Sequence, residues 1–163
     1  MDLLKIKPWW GYLEADLQEL LQESFLLLQK VADWGEEFHD YSFVVFPAAK
    51  SYEGFLKKVF LDMKFISEED YYGKRFRIGR ALNPQLEPRL RALESVYDRL
   101  ENFTGSNTLG DNLWNTWKES RNLIFHWFPE EKRAITYDEA KQRIDMIVDS
   151  IDEAYKECKI KSQ

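Results

Sequence analysis

The stretch KESRNLIFHW, residues 118–127, places Arg121, Asn122 and His126 among bulky apolar residues. All three are groups that handle phosphate or move protons. An imidazole ordinarily titrates near pH ~6.5 and can give or take a proton at neutral pH. A guanidinium never loses its charge and presents a planar fork of donors to two phosphate oxygens. A carboxamide orients its neighbours by hydrogen bonding. On a helix advancing about 100° per residue, His126 lies roughly 40° from Asn122 and roughly 140° from Arg121. Asn122 and His126 then share a face while Arg121 leans aside, so one helix does not aim all three at a single point. Two copies crossing at a twofold axis would gather them into a shared groove. A structural reading is also open: Arg121 pairs with Glu119 or Asp111, and His126 caps the helix end near Pro129.

The elements that must carry this stretch are helical by their periodicity. From Trp10 to about Val31, residues Leu13, Leu17, Leu20, Leu21, Leu28 and Val31 recur three or four apart, and Gly35 closes the helix. A second helix is predicted from near Asp40 to about Phe65, with Pro47 starting a new segment or kinking the old one. The run FVVF alone would suit a strand, but no second strand is there to pair with it. Residues 67–83, punctuated by Ser67, Gly73 and Gly79, read as a loop. A third helix follows Asn83-Pro84 and continues to about Phe103. After TGSNTLGDN, Thr108 or Asp111 caps a fourth helix that ends before Pro129. Thr136 and Glu139 form a capping box for the last helix, which runs through Tyr155. The expectation is an all-α bundle of about five helices, with residues 1–163 forming one domain.

Composition limits the partners. The chain of 163 residues carries a net charge of -6, so no sequence-wide positive field attracts nucleic acid, and phosphate binding must be local. One cysteine, Cys158, excludes an internal disulfide and a cysteine-based zinc site, which fits a reducing interior. His39 lies in EEFHDY and reads as a surface residue; with 2 histidines and no HExxH spacing, neither a metal nor another cofactor is expected. No apolar run approaches the roughly 20 residues that span a bilayer, and no export pattern opens the chain, so the expectation is a cytoplasmic protein without a membrane partner. Aromatic residues make up 15%, enough to thicken a core or to leave ring surface for a partner.

The stretch RNLIFH resembles the R-N-x-x-x-H form of the Rx4-6H motif of the HEPN superfamily, small helical bundles that include ribonucleases and nucleotide-binding domains. It falls where that family carries it, on the penultimate long helix of an all-α domain. FPAAKSYEGFLKKVF, residues 46–60, is similar to the segment that precedes the motif in the RnlA toxin family, where a basic residue and a glutamate stand three apart. Those positions are Lys50 and Glu53 here, with lysine where the family has arginine. The resemblance implies a HEPN-like bundle and a metal-independent endoribonuclease, the toxin of a toxin–antitoxin or phage-defence system. It implies RNA as substrate, a homodimer that shares its site across two copies, and a cognate antitoxin protein as partner. In such a reaction the 2′-hydroxyl attacks the adjacent phosphorus. His126 would then be the general acid or base, Arg121 the phosphate clamp and Asn122 the positioning group.

Other residues could support that chemistry. Lys50 and Glu53 share a helix face and can project into one groove, where Glu53 would hold Arg121; a solvated pair is the plainer reading. Lys74, Arg75, Arg77 and Arg80 form the dense basic run of an acidic chain. It reads as a track for the RNA backbone, with Tyr71, Tyr72 and Phe76 for stacking, or as a solvated loop. Trp114, Trp117 and Trp127 surround the motif at helical spacing and read as core or dimer packing rather than as base-stacking platforms. Two other functions fit the same residues: a HEPN-like domain that binds nucleotide or RNA without cutting, and a helical adaptor that docks a partner through its aromatic surface.

Overall fold

A computed structural model describes residues 2–127, 129 and 133–158. Among them there are nine α-helices and no strand. The order is α1 (Asp2–Lys5), a 3-10 turn at Trp10–Tyr12, α2 (Ala15–Trp34), α3 (Ser42–Asp62), α4 (Glu68–Tyr72), α5 (Ile78–Ala81), α6 (Pro88–Glu94), α7 (Val96–Thr104), α8 (Thr108–Trp117), a π turn at Lys118–Asn122, and α9 (Tyr137–Glu157). No described helix is long and apolar enough to cross a membrane.

The centre of the molecule is α3, which packs against α2 on one side and α9 on another. Val44, Val45, Ala48, Tyr52, Phe55, Leu56, Val59 and Phe60 of α3 are fully buried. FVVF is thus helical, and the helix continues past Pro47 as one element rather than restarting there. Proline cannot donate to the ladder and its ring crowds the carbonyl one turn back. Next to it, the Ala48 N–H donates to the buried Ser24 Oγ of α2 at 2.8 Å, so the disturbed turn is tied to its neighbour. Ser51 Oγ donates to the Leu17 carbonyl at 2.8 Å, and a Cβ on Gly54 would come within 2.5 Å of Leu17 Cδ2. Small residues therefore set the closest approach of α2 and α3. Ser24→Ala removes a buried hydrogen bond from this seam and is expected to cost about 1–2 kcal/mol in a denaturant titration.

The Gly35 stop is observed, in the left-handed conformation at φ 66°. The Thr136–Glu139 capping box is also formed, with both reciprocal bonds present. Three expectations are corrected. Residues 67–83 are not one loop: Ser67 and Asp70 form a capping box for α4, and α5 follows. The helix expected over 84–103 begins at Pro88 and is broken at Ser95, whose side chain caps α7 by accepting from the Asp98 N–H at 3.0 Å. Arg91 then clasps α6 to α7 by donating from Nε to Asp98 at 2.9 Å. The fourth helix is preceded by Asn107, not capped by Thr108 or Asp111; Asp111 instead accepts from the Tyr97 hydroxyl at 2.7 Å. The helix count accordingly exceeds five.

The first residues are anchored by a contact that the sequence did not announce. Trp9 is fully buried, its Nε1 donates to Asp152 of α9 at 2.5 Å, and Lys7 pairs with the same carboxylate at 2.5 Å. Six residues beyond Asp152, at the C-terminal cap of α9, burial pushes the Cys158 thiol up to about 11 from an ordinary value of about 9. The reactive thiolate is correspondingly scarce at neutral pH. Labelling of the native protein with a thiol reagent at pH 7.5 is expected to run at least about 100-fold slower than labelling of the unfolded chain, following that two-unit rise.

Candidate functional site

Helix α8 delivers the RNLIFH stretch, but not as a straight α-helix. After Trp117 the chain widens into a π turn, closed by the Leu123 N–H donating to the Lys118 carbonyl at 2.9 Å. Such turns are rare and cluster at functional sites. Helix α9 holds its outer side: Glu119 pairs with Arg143 at 3.1 Å, and the buried Ser120 donates to the Arg143 carbonyl at 3.3 Å. Past Asn122 the chain leaves the helix, and His126 sits in irregular backbone. The helical-wheel angle between Asn122 and His126 therefore does not apply.

Arg121 makes neither of the pairings that the structural reading allowed, since Glu119 is taken by Arg143 and Asp111 by Tyr97. Its guanidinium lies over the Trp117 ring, 5.0 Å from the centroid, and meets Glu53 of α3 at 3.6 Å. That distance is an ion pair rather than a hydrogen bond. With both side chains more than a third exposed, the pair contributes a small fraction of a kcal/mol to about 1 kcal/mol. Glu53 steers the guanidinium without occupying its donors.

Both residues line a cavity of about 820 Å³. Among the described residues its cations are Lys57, Lys74, Arg77, Arg80 and Arg121 and its one carboxylate is Glu53, while Asn83, Asn122, Phe76, Trp114 and Trp117 also line the wall. Arg80 is engaged with Glu94 at 2.7 Å, and Arg77 donates to the Lys74 carbonyl at 2.5 Å. Lys57 and Lys74 have no ion-pair partner among the described residues. In a chain of net charge -6 this is a local surplus of positive charge around a concave wall, an arrangement that concentrates anions. Gly79 makes it possible: a Cβ there would stand 2.6 Å from Trp117 Nε1.

The predicted basic run divides over two hollows. Lys74 lines the first cavity and Arg75 a second of about 300 Å³, while Arg77, Arg80 and Phe76 border both. Tyr72 is exposed and borders neither, and Tyr71 packs edge-on to it at 4.9 Å. Lys50 does not join Glu53 at the first cavity; it is exposed and lies 5.9 Å from the Phe46 ring. Phe46, Lys50, Glu53 and Lys57 nonetheless follow one stripe of α3, about 16 Å long at 1.5 Å per residue.

His126 lines a different cavity, of about 610 Å³, at the Phe46 end of that stripe. Phe46 meets Phe125 edge-on at 5.3 Å, which ties the stretch after the π turn to α3. Trp127 does not pack into the core but is 80% exposed, in contrast to the buried Trp117. The same cavity is bordered by His39, Asp40 and Arg133. Sequence reading assigned His39 and Arg133 no part in a site, and Lys57 none either. Among the described residues no group of His, Cys, Asp and Glu could hold a metal ion.

No family model, no curated protein and no solved structure matches this chain.

Proposed function

We propose, from the HEPN-like sequence stretch together with the geometry of the site, that the protein is a metal-independent endoribonuclease. The observation that carries this reading is Arg121, held between the Trp117 ring and Glu53 on the wall of a cavity bordered by four further cations. That wall fits the phosphates of a polynucleotide backbone, with Arg121 as the fork that grips the reacting phosphate and Asn122 beside it for positioning. His126, exposed at the other end of the α3 stripe, is the proton-transfer group. Arg121 and His126 of one chain border separate cavities, which suits a homodimer in which a second copy lies across the same face and completes the cleft. The RnlA-like residues Lys50 and Glu53 favour a HEPN-type toxin restrained by an antitoxin protein, whose acidic surface would cover the basic wall.

Induced expression in bacteria is expected to arrest growth, and the His126→Ala form is not. With purified protein, RNA affinity should fall with salt, and changing Lys74, Arg75, Arg77 and Arg80 to glutamine should flatten the slope by about 0.7 per lost phosphate contact. Growth unaffected by the wild type, together with a salt slope that the substitutions leave unchanged, would remove the reading.

A second reading, an adaptor that docks a partner without cutting, is favoured by exposed rings: Trp34, Phe43, Phe46 and Trp127 are all 38% exposed or more. A chain that binds RNA or protein while His126→Ala changes nothing would belong to that class.

A further inference from the structure

We infer that His39 is a second catalytic histidine, sharing one cavity with His126; this rests on the ribonuclease reading above. The chain has 2 histidines, and both border the cavity of about 610 Å³. They arrive there from distant segments, His39 from the connection between α2 and α3 and His126 from the chain beyond the π turn.

Although His39 lies in a connection, its backbone is held on both sides. The Asp40 carboxylate accepts from the Ser42 N–H at 3.0 Å and the Ser42 hydroxyl at 2.8 Å, at the start of α3. It also accepts from the Ile135 N–H at 3.2 Å, and the Tyr41 N–H donates to the Ile135 carbonyl at 3.0 Å. On the other side the Phe38 N–H donates to the Tyr41 hydroxyl at 3.1 Å, and its ring lies 5.7 Å from that of Tyr41 and 5.4 Å from that of Phe43. The opposite wall is fixed by the Phe46–Phe125 contact. Two exposed imidazoles thus stand on pinned walls of one hollow, which is what positioned proton transfer needs. Among the described residues, no group of His, Cys, Asp and Glu there could hold a metal ion.

The chemistry gives two histidines separate work. A neutral imidazole takes the proton of the 2′-hydroxyl as the 2′-oxygen forms its bond to phosphorus. The bond from phosphorus to the 5′-oxygen breaks, and that oxygen takes a proton from the other, protonated imidazole. The products are a 2′,3′-cyclic phosphate and a 5′-hydroxyl, and the two imidazoles have exchanged protonation states, so no further reactant is consumed. Attack and departure occur on opposite sides of the phosphorus, where one imidazole cannot serve both. Arg133 borders the same cavity and supplies positive charge for the phosphorane, and the exposed faces of Phe46 and Trp127 offer stacking surfaces to flanking bases. Among the described residues, the charged groups bordering the cavity are Asp40 and Arg133, with Lys50 beside Phe46 and Glu36 and Glu37 preceding His39 in its connection.

The test uses the full chain and an end-labelled single-stranded oligoribonucleotide, with product termini and rates followed across pH. Wild-type protein should give a bell-shaped profile and cyclic-phosphate ends. His39→Ala and His39→Gln should melt like the wild type, lower kcat by about 10²- to 10⁴-fold, and abolish one limb of the bell. One of the two histidine variants should recover on a nucleoside 3′-phosphate ester with an aryl leaving group, which departs without a proton donor. Mixing His39→Ala with His126→Ala should restore nothing, because each chain keeps one damaged cavity. A His39→Ala enzyme with the wild-type rate and profile, beside an inactive His126→Ala, would overturn the pair and leave the ribonuclease reading standing. Recovery on mixing would overturn the single-chain cavity, and wild-type protein that forms no cyclic phosphate would overturn both.

Discussion

Arg121→Ala is expected to slow RNA cleavage by about 10²- to 10³-fold while the melting temperature stays within a few degrees of the wild type. The magnitude is that of removing one preorganised donor from developing transition-state charge. The structural cost is small because what is lost is a 3.6 Å ion pair to Glu53, more than a third exposed on both sides, and one ring contact. Arg121→Lys keeps the charge but not the fork, and should recover only part of the rate. Glu53→Gln separates steering from gripping: the cations of the wall remain, so RNA affinity holds or rises, while kcat falls because Arg121 is no longer aimed. Rates measured beside thermal melts decide the matter, and an Arg121→Ala protein that cleaves at the wild-type rate would take Arg121 out of the chemistry.

Elements signalled by adjacent residues were legible in the sequence; those dictated from a distance were not. Gly35 and the Thr136–Glu139 box mark their helix ends locally, and both are where they were expected. The Ser67–Asp70 box is equally local, but Gly73 and Gly79 just after it carry the stronger signal of a loop. Ser95 breaks a helix whose apolar positions stay in phase across it, so periodicity alone ran straight through. The π turn leaves no trace in spacing, because the extra residue is accommodated where α9 fixes Glu119 and Ser120. That turn is why Arg121 could be picked out by type but not placed relative to His126. His39 looked like a solvated residue among acids, since the cavity around it closes only when Asp40 binds Ile135, 95 positions away. Lys57 was hidden for the same reason: its role comes from the α5 and π-turn residues opposite it, not from its neighbours.

The side chain on which site and fold depend together is Trp117, and Trp117→Ala is expected to show the largest combined effect. It is buried, borders the first cavity, receives Gly79 on one side and carries the Arg121 guanidinium on its ring. Truncating a buried tryptophan costs about 3–5 kcal/mol through lost transfer energy and the void left behind. For a chain of this length that lowers Tm by roughly 10 °C. Below the new Tm the folded fraction should still cleave poorly, because the guanidinium has lost the surface that holds it over the cavity. Trp117→Phe retains a ring face and should recover much of the stability, and with it the seat of Arg121, whereas Trp117→Leu fills volume without a ring. If packing were its whole role, the leucine and phenylalanine forms would cleave equally well at equal stability. Activity per folded molecule that tracks the ring rather than the volume would assign Trp117 to positioning Arg121, and equal activity of the two forms would reduce it to a core residue.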